Sequence, residues 1–287
     1  MTKKTLRLTF PQWQGGINPP YYEGSHILDW LAPKSDSMEC AKVPVKTNFD
    51  DEVPVTDGIA GRKSFLSSRK PPMLSARRRS GPDHRAGGDC SVEQAPFDYL
   101  HGKYPEDTAV IWMDAHPDFT RPKDAPNEHS MVLGNLIGDG APDFAAMVKH
   151  PFRKEDIIYA GIIADHLESW EEEYQKEYQM KFLTPDQLLD DSEALLAWLR
   201  EGGYRHVMIH WDLDVLSPED FRCLLCAEPH ILPVEYAVGE MTLDQILRII
   251  QDVSKEFDVV ALGITEFIPW DIMRFRKGLN ELDIFRK

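Results

Sequence analysis

Val110-Ile111-Trp112-Met113 runs without a break into Asp114-Ala115-His116-Pro117-Asp118. The four apolar residues read as a strand buried within a sheet, and the cluster that follows stands where this strand ends. In open α/β sheets, ligands bind outside the carboxyl ends of the strands, so the cluster is placed for binding. In an extended chain alternate side chains point the same way, so Asp114, His116 and Asp118 can converge on one point. Two carboxylates and an imidazole suit a divalent cation such as Mn²⁺ or Zn²⁺. A second apolar run, Val207-Met208-Ile209-His210-Trp211, leads into Asp212-Leu213-Asp214. Acidic residues after a strand also cap helices and turns. That plainer role accounts for either cluster alone, but poorly for both together with a histidine inside the first. A metal site is the better reading.

Working outward, β-rich apolar segments alternate with helical patterns, the signature of a mostly parallel sheet with helices on its faces. Strands are expected at 6–10, 109–113, 157–160, 207–211 and 259–265. Helices are expected over 185–200, with Leu188, Leu189, Leu195, Leu196 and Leu199 apolar, and over 242–257, with Ile246, Ile249, Ile250 and Val253 apolar. Thr242-Leu243-Asp244-Gln245 forms a capping box for the second. No repeat or linker divides the chain, so residues 1–287 are expected to form a single α/β domain.

The length of 287 residues allows a substantial core. Hydrophobic content of 42% and charged content of 28% are ordinary for a globular protein. The net charge of −16 argues against nucleic acid or an anionic membrane as partner and is compatible with a cationic small-molecule substrate. No run reaches the roughly 18 apolar residues a membrane span needs. The N-terminal segment lacks an apolar signal core. Four cysteines are too few for a disulfide scaffold, so a reduced, cytoplasmic protein is expected. Residues 62–86 form an irregular basic segment, broken by Pro71-Pro72 and Gly81-Pro82, that reads as a solvated loop.

Gly87-Gly88-Asp89-Cys90-Ser91 and Ile264-Thr265-Glu266-Phe267-Ile268-Pro269 complete a set with the two acidic clusters. Together the four motifs resemble the ureohydrolases, the arginase/agmatinase family, in order from about Gly58 to Pro269. The resemblance implies a three-layer α/β/α fold with a parallel sheet of about eight strands. It also implies hydrolysis of a guanidino, N-hydroxyguanidino or formimino C–N bond by a hydroxide bridging two divalent ions, usually Mn²⁺. One ion would be held by Cys90, Asp114, Asp118 and Asp212, the other by Asp114, His116, Asp212 and Asp214. A guanidinium carbon is a poor electrophile, and two metals about 3.5–4 Å apart can make hydroxide at neutral pH. Glu266 matches the carboxylate that pairs with the substrate guanidinium. His129 stands near the family's proton-shuttling histidine, as general acid toward the leaving amine. Asn127 and Thr242 match substrate-facing residues, although each also suits a turn or a cap. Members commonly form trimers or hexamers, so a homo-oligomer stays open.

Three departures from the family pattern qualify these expectations. Cys90 replaces a histidine ligand; a softer, anionic ligand lowers the preference for Mn²⁺, raises tolerance of Zn²⁺ and weakens the first site, with Mn²⁺ still the expected metal. Ala164 and His166, flanking Asp165, stand where arginases grip the α-amino group, which argues against L-arginine. Residues 80–86, Ser-Gly-Pro-Asp-His-Arg-Ala, replace the apolar strand before Gly-Gly-Asp, so that strand is expected to be degraded. Cys223 and Cys226 read as structural, and Glu171-Glu172-Glu173 as a solvated helix face. Two rival functions remain: a mononuclear deacetylase-type amidohydrolase using His116, Asp212 and Asp214, and a non-catalytic relative.

Overall fold

The computed structural model describes residues 5–49, 52–63, 82–231, 233–282 and 284. Strand β1 (Thr5–Phe10) leads into α1 (Pro20–Leu31), β2 (Met38–Lys42) and a small antiparallel hairpin of β3 (Val55–Thr56) and β4 (Ile59–Ala60). Then follow β5 (Asp83–Gly87), α2 (Gln94–Lys103), β6 (Thr108–Met113), the short helices α3 (Val132–Leu136) and α4 (Pro142–Ala145), and β7 (Ile157–Ala160). The chain continues through α5 (Ser169–Tyr178), β8 (Lys181–Leu183), α6 (Glu193–Glu201) and β9 (His206–Asp212). It ends in α7 (Leu243–Glu256), β10 (Asp258–Thr265) and α8 (Trp270–Glu281). Eight strands form one parallel sheet in the order β2-β1-β5-β10-β9-β6-β7-β8.

The two-residue period of β6 explains the layers. Ala109, Ile111 and Met113 join Leu195, Leu199, Ile246, Ile249 and Val253 of α6 and α7 on one face. Val110 and Trp112 point the other way, to Phe97, Leu100, Val132 and Leu136 of α2 and α3. All six residues of β6 are buried, as a central parallel strand requires. The outer strands β2 and β8 are short and carry Lys42 and Lys181, which blunts the edges of the sheet.

Two expectations are corrected. The segment before Gly-Gly-Asp is a true strand: β5 lies between β1 and β10, with Leu6 opposite Asp83 and Ala261 opposite Asp83 on its two sides. Pro82 precedes the ladder, and its carbonyl accepts from Leu6 N at 2.9 Å. Arg85 takes the place of an apolar side chain because ion pairs to Asp83 (3.0 Å) and Glu93 (2.7 Å) compensate its charge. The expected helix over 185–200 is split. A 3₁₀ turn spans Asp186–Leu188, and α6 starts only at Glu193, whose N–H donates to Asp191 Oδ1 at 2.9 Å. Aspartate and serine at 190–192 favour such a helix start over a continuous helix. The core of the basic segment, 64–81, lies outside the described residues. Among the described residues, no helix is long and apolar enough to cross a membrane.

Candidate metal centre

The four central strands β5, β10, β9 and β6 are neighbours, and each delivers chemistry at its carboxyl end. After β5, Gly88 must pass close to the segment that follows β1: a Cβ there would lie 1.6 Å from Gln12 O. Asp89 then caps a 3₁₀ turn, Cys90–Glu93, accepting from Ser91 N at 3.2 Å and from Gly15 N at 2.8 Å. This sets the Cys90 thiol inward, 2.7 Å from Asp212 Oδ2 and 3.6 Å from Glu266 Oε1.

Past β6 the chain turns at once rather than staying extended, because Asp114 Oδ1 accepts from His116 N at 2.7 Å. Asp212 makes the same turn after β9, accepting from Asp214 N at 2.8 Å. The two turns face each other and bring His116 Nδ1 to 3.0 Å from Asp214 Oδ2 and 3.4 Å from Asp114 Oδ1. Convergence therefore comes from paired turns, not from the strand pleat. Asp118 and Glu266 both sit in the left-handed backbone region (φ 51° and 64°), an uncommon conformation for non-glycine residues. Glu266 accepts from Tyr21 OH at 2.6 Å and contacts His129 Nδ1 at 2.7 Å.

Cys90, Asp114 and Asp118 form one group with ligand atoms within 4.8 Å of one another, and Asp114, His116 and Asp214 form another. Three of the four expected ligands thus meet in each group. Asp212 groups with Asp214 and Glu266 instead, while staying hydrogen-bonded to Cys90. The set fits divalent cations. Asp118 Oδ2 and Asp214 Oδ1 are buried with no hydrogen-bond partner, and such orphaned oxygens are costly unless a cation meets them. Burial, and then the neighbouring carboxylates, push the carboxyls of Asp118 and Asp212 well above their usual range. Burial and then Asp212 likewise push the Cys90 thiol well above its usual value. Burial works against protonated His116, but Asp214 and Asp114 outweigh it and hold that imidazole well above its usual value.

A cavity of about 420 Å³ opens onto both groups, and Asn127, His129 and Glu266 line it with Cys90, His116, Asp118, Asp212 and Asp214. Thr242 does not line it. Its side chain caps α7, accepting from Gln245 N at 3.3 Å, and the capping role accounts for it. Glu171 corrects the solvated-face reading: Glu172 and Glu173 are exposed, but Glu171 is buried, closes the capping box of α5 and borders the cavity. Cys226 also borders the cavity, and neither it nor Cys223 belongs to a metal-competent group among the described residues. Asp165 and His166 are exposed and pair with each other, and neither lines the cavity. Sequence reasoning missed Tyr21 and Tyr236, which line the cavity and which nothing in their local spacing marks, and it passed over His210, although His210 alternates with Asp212 and Asp214.

The chain belongs to the arginase family, whose model matches residues 84–270. An arginase of Entamoeba histolytica is 28% identical over 232 residues, covering 76% of this chain and 77% of that protein. Arginase of Staphylococcus aureus (strain COL) is 26% identical over 139 residues, 46% of this chain and 45% of the relative. The chain thus matches about half the length of the staphylococcal relatives. Among solved structures, E. histolytica arginase in complex with L-ornithine superposes with a TM-score of 0.78 at 19% identity, covering 93% of this chain and 92% of that one. Formimidoylglutamase of Bacillus subtilis superposes with a TM-score of 0.64 at 16% identity, covering 93% and 79%. At these identities the superpositions establish a shared fold.

Proposed function

We propose that this protein is a metal-dependent ureohydrolase that cleaves a C–N bond of a small linear guanidino, N-hydroxyguanidino or formimino compound. The observation that carries this reading is Glu266, buried at the cavity between Tyr21 and His129 and beside both cation-binding groups. A planar cation such as guanidinium pairs with a carboxylate in a bidentate, charge-assisted manner, which would fix its carbon over the donor groups. Asp114, His116 and Asp214 would hold one divalent ion, and Cys90, Asp114 and Asp118 the other, with Asp212 beside both. Bound there, the ions would lower the pKa of a water to near neutrality.

The chain's own residues would do the rest. Glu266 holds the cation, and Tyr21 fixes one of its oxygens by hydrogen bonding. Glu266, at 2.7 Å, outweighs burial and holds the His129 imidazole up at about 9, so His129 carries a proton at neutral pH. A guanidinium that takes over Glu266 Oε1 would release His129 to donate this proton to the leaving amine. Neither Asp165 nor His166 lines the cavity, which favours a substrate other than L-arginine.

The test is a urea and amine release screen over guanidino and formimino compounds, with Mn²⁺, Zn²⁺ or Co²⁺ supplied and metal content measured in parallel. Release with two metal equivalents per chain is expected. One equivalent would favour the mononuclear amidohydrolase expected on His116, Asp212 and Asp214, of which His116 and Asp214 lie 3.0 Å apart. A folded, metal-loaded protein that releases nothing would overturn the assignment.

A further inference from the structure

Beside the Cys90 group lies a buried chain of charged side chains. Arg85 of β5 contacts Asp83 at 3.0 Å and Glu93 at 2.7 Å, and Glu93 faces His210 Nδ1 at 3.7 Å. The other ring nitrogen, Nε2, faces Asp114 Oδ2 at 3.8 Å. Both nitrogens of His210 are buried and neither has a hydrogen-bond partner. Room for this chain is made on purpose-built backbone: at Gly263 of β10 a Cβ would lie 1.7 Å from Glu93 Oε1. His210 itself is held flat against Trp112, its neighbour across the β6–β9 ladder, with ring centres 3.8 Å apart.

Burying an arginine, a glutamate and a histidine in a sheet core is expensive, and apolar residues of similar volume would commonly be as stable. The arrangement does have the form of a metal-binding histidine. Such a ligand turns one nitrogen to the cation and the other to a carboxylate that fixes its ring. The 3.8 Å between Nε2 and Asp114 is long for a hydrogen bond. Two ligands sharing one tetrahedral ion stand roughly 3.4 Å apart, given bonds of about 2.1 Å, so a small contraction would let both reach it. A ring nitrogen of His210 also falls within the same 4.8 Å grouping as Cys90, Asp114 and Asp118, the position in that group that Asp212 was expected to fill.

We propose that His210 is a nitrogen ligand of the cation held by Cys90, Asp114 and Asp118, with Glu93 and Arg85 as its positioning residues. The inference rests on the metal-centre reading above. It gives the first site a Cys-His-Asp-Asp donor set, suited to Zn²⁺ and other thiophilic ions, in which an imidazole from β9 supplies the nitrogen that position 90 lacks. It also accounts for the charged strand β5: Arg85 replaces an apolar residue because Glu93 needs a counter-charge.

The test uses the full chain with Cys40, Cys223 and Cys226 changed to Ser and with His129→Gln, so that Cys90 is the one remaining thiol. The metal-stripped protein is titrated with Cd²⁺, and the thiolate-to-cadmium absorption band is followed. Cadmium X-ray absorption at substoichiometric loading should show sulfur and imidazole together around the ion. His210→Asn should weaken the Cd²⁺ affinity read at that band by about 100-fold, and Glu93→Gln by about 10-fold. A missing thiolate band would overturn the metal-centre reading at Cys90 itself. A band whose affinity His210→Asn leaves unchanged would overturn the His210 assignment alone. Should that variant fail to fold, the absorption spectrum of the His210-containing chain decides: sulfur without imidazole refutes the assignment.

Discussion

His129 shows how one contact sets a pH response. Burial disfavours its protonated form, but Glu266 at 2.7 Å and then Asp89 outweigh this and raise its pKa from 6.5 to about 9, with His116 opposing. A pKa raised in the folded state stabilises fully below the unfolded value and is lost as pH climbs through the folded value. The metal-free protein should therefore lose this contribution between pH 6.5 and about 9. Urea unfolding across that window should give a shallower decline in His129→Gln than in the parent; parallel declines would refute the coupling. The clustering of Asp114, His116, Asp118, Asp212 and Asp214 was legible, since these candidate ligands lie in compact motifs. Tyr21 was not, because its role depends on Glu266, 245 positions away along the chain. His210 sits in an apolar run, and the groups it faces come from the turn after β5 and from β6 and its end, so the run alone assigns it no role.

Among the elements, the central strands could be read from sequence and the edges could not. β6, β9 and β10 are apolar because both faces are covered, whereas β2 and β8 have partly exposed residues and no strong period. β5 was misread for a different reason. Hydrophobic pattern has no means of showing that Arg85 meets Glu93, eight positions on, inside the core. Arg85→Leu should accordingly cost about 3–5 kcal/mol, because it strands Glu93 and Asp83 as buried unpaired carboxylates. The double change with Glu93→Leu should cost less than the single changes summed, a comparison open to urea titration. The start of α7 makes the opposite case, where a short local pattern sufficed. Thr242→Ala should cost about 0.5–2 kcal/mol in unfolding free energy. It should leave the KM for any accepted substrate unchanged, whereas a raised KM would restore the substrate-facing role.

For the molecule as a whole, a net charge of −16 and a core of converging carboxylates predict that bound cations stabilise the folded state. Divalent ions at about 100 times their dissociation constant should add about 2.7 kcal/mol per site, so chelation should lower the melting temperature reversibly. A chelator-insensitive melt would mean that the ions do not bind in the folded state. The left-handed backbone at Asp118 sharpens this dependence. In the ion-free protein, Asp118→Gly relieves a strained φ, worth about 1 kcal/mol, and removes a buried oxygen that has no partner. With the ion bound, the same change deletes a ligand. One substitution should thus raise the melting temperature of the ion-free protein and lower that of the loaded one. The cation reverses whether evolution at this position would read glycine as repair or as damage.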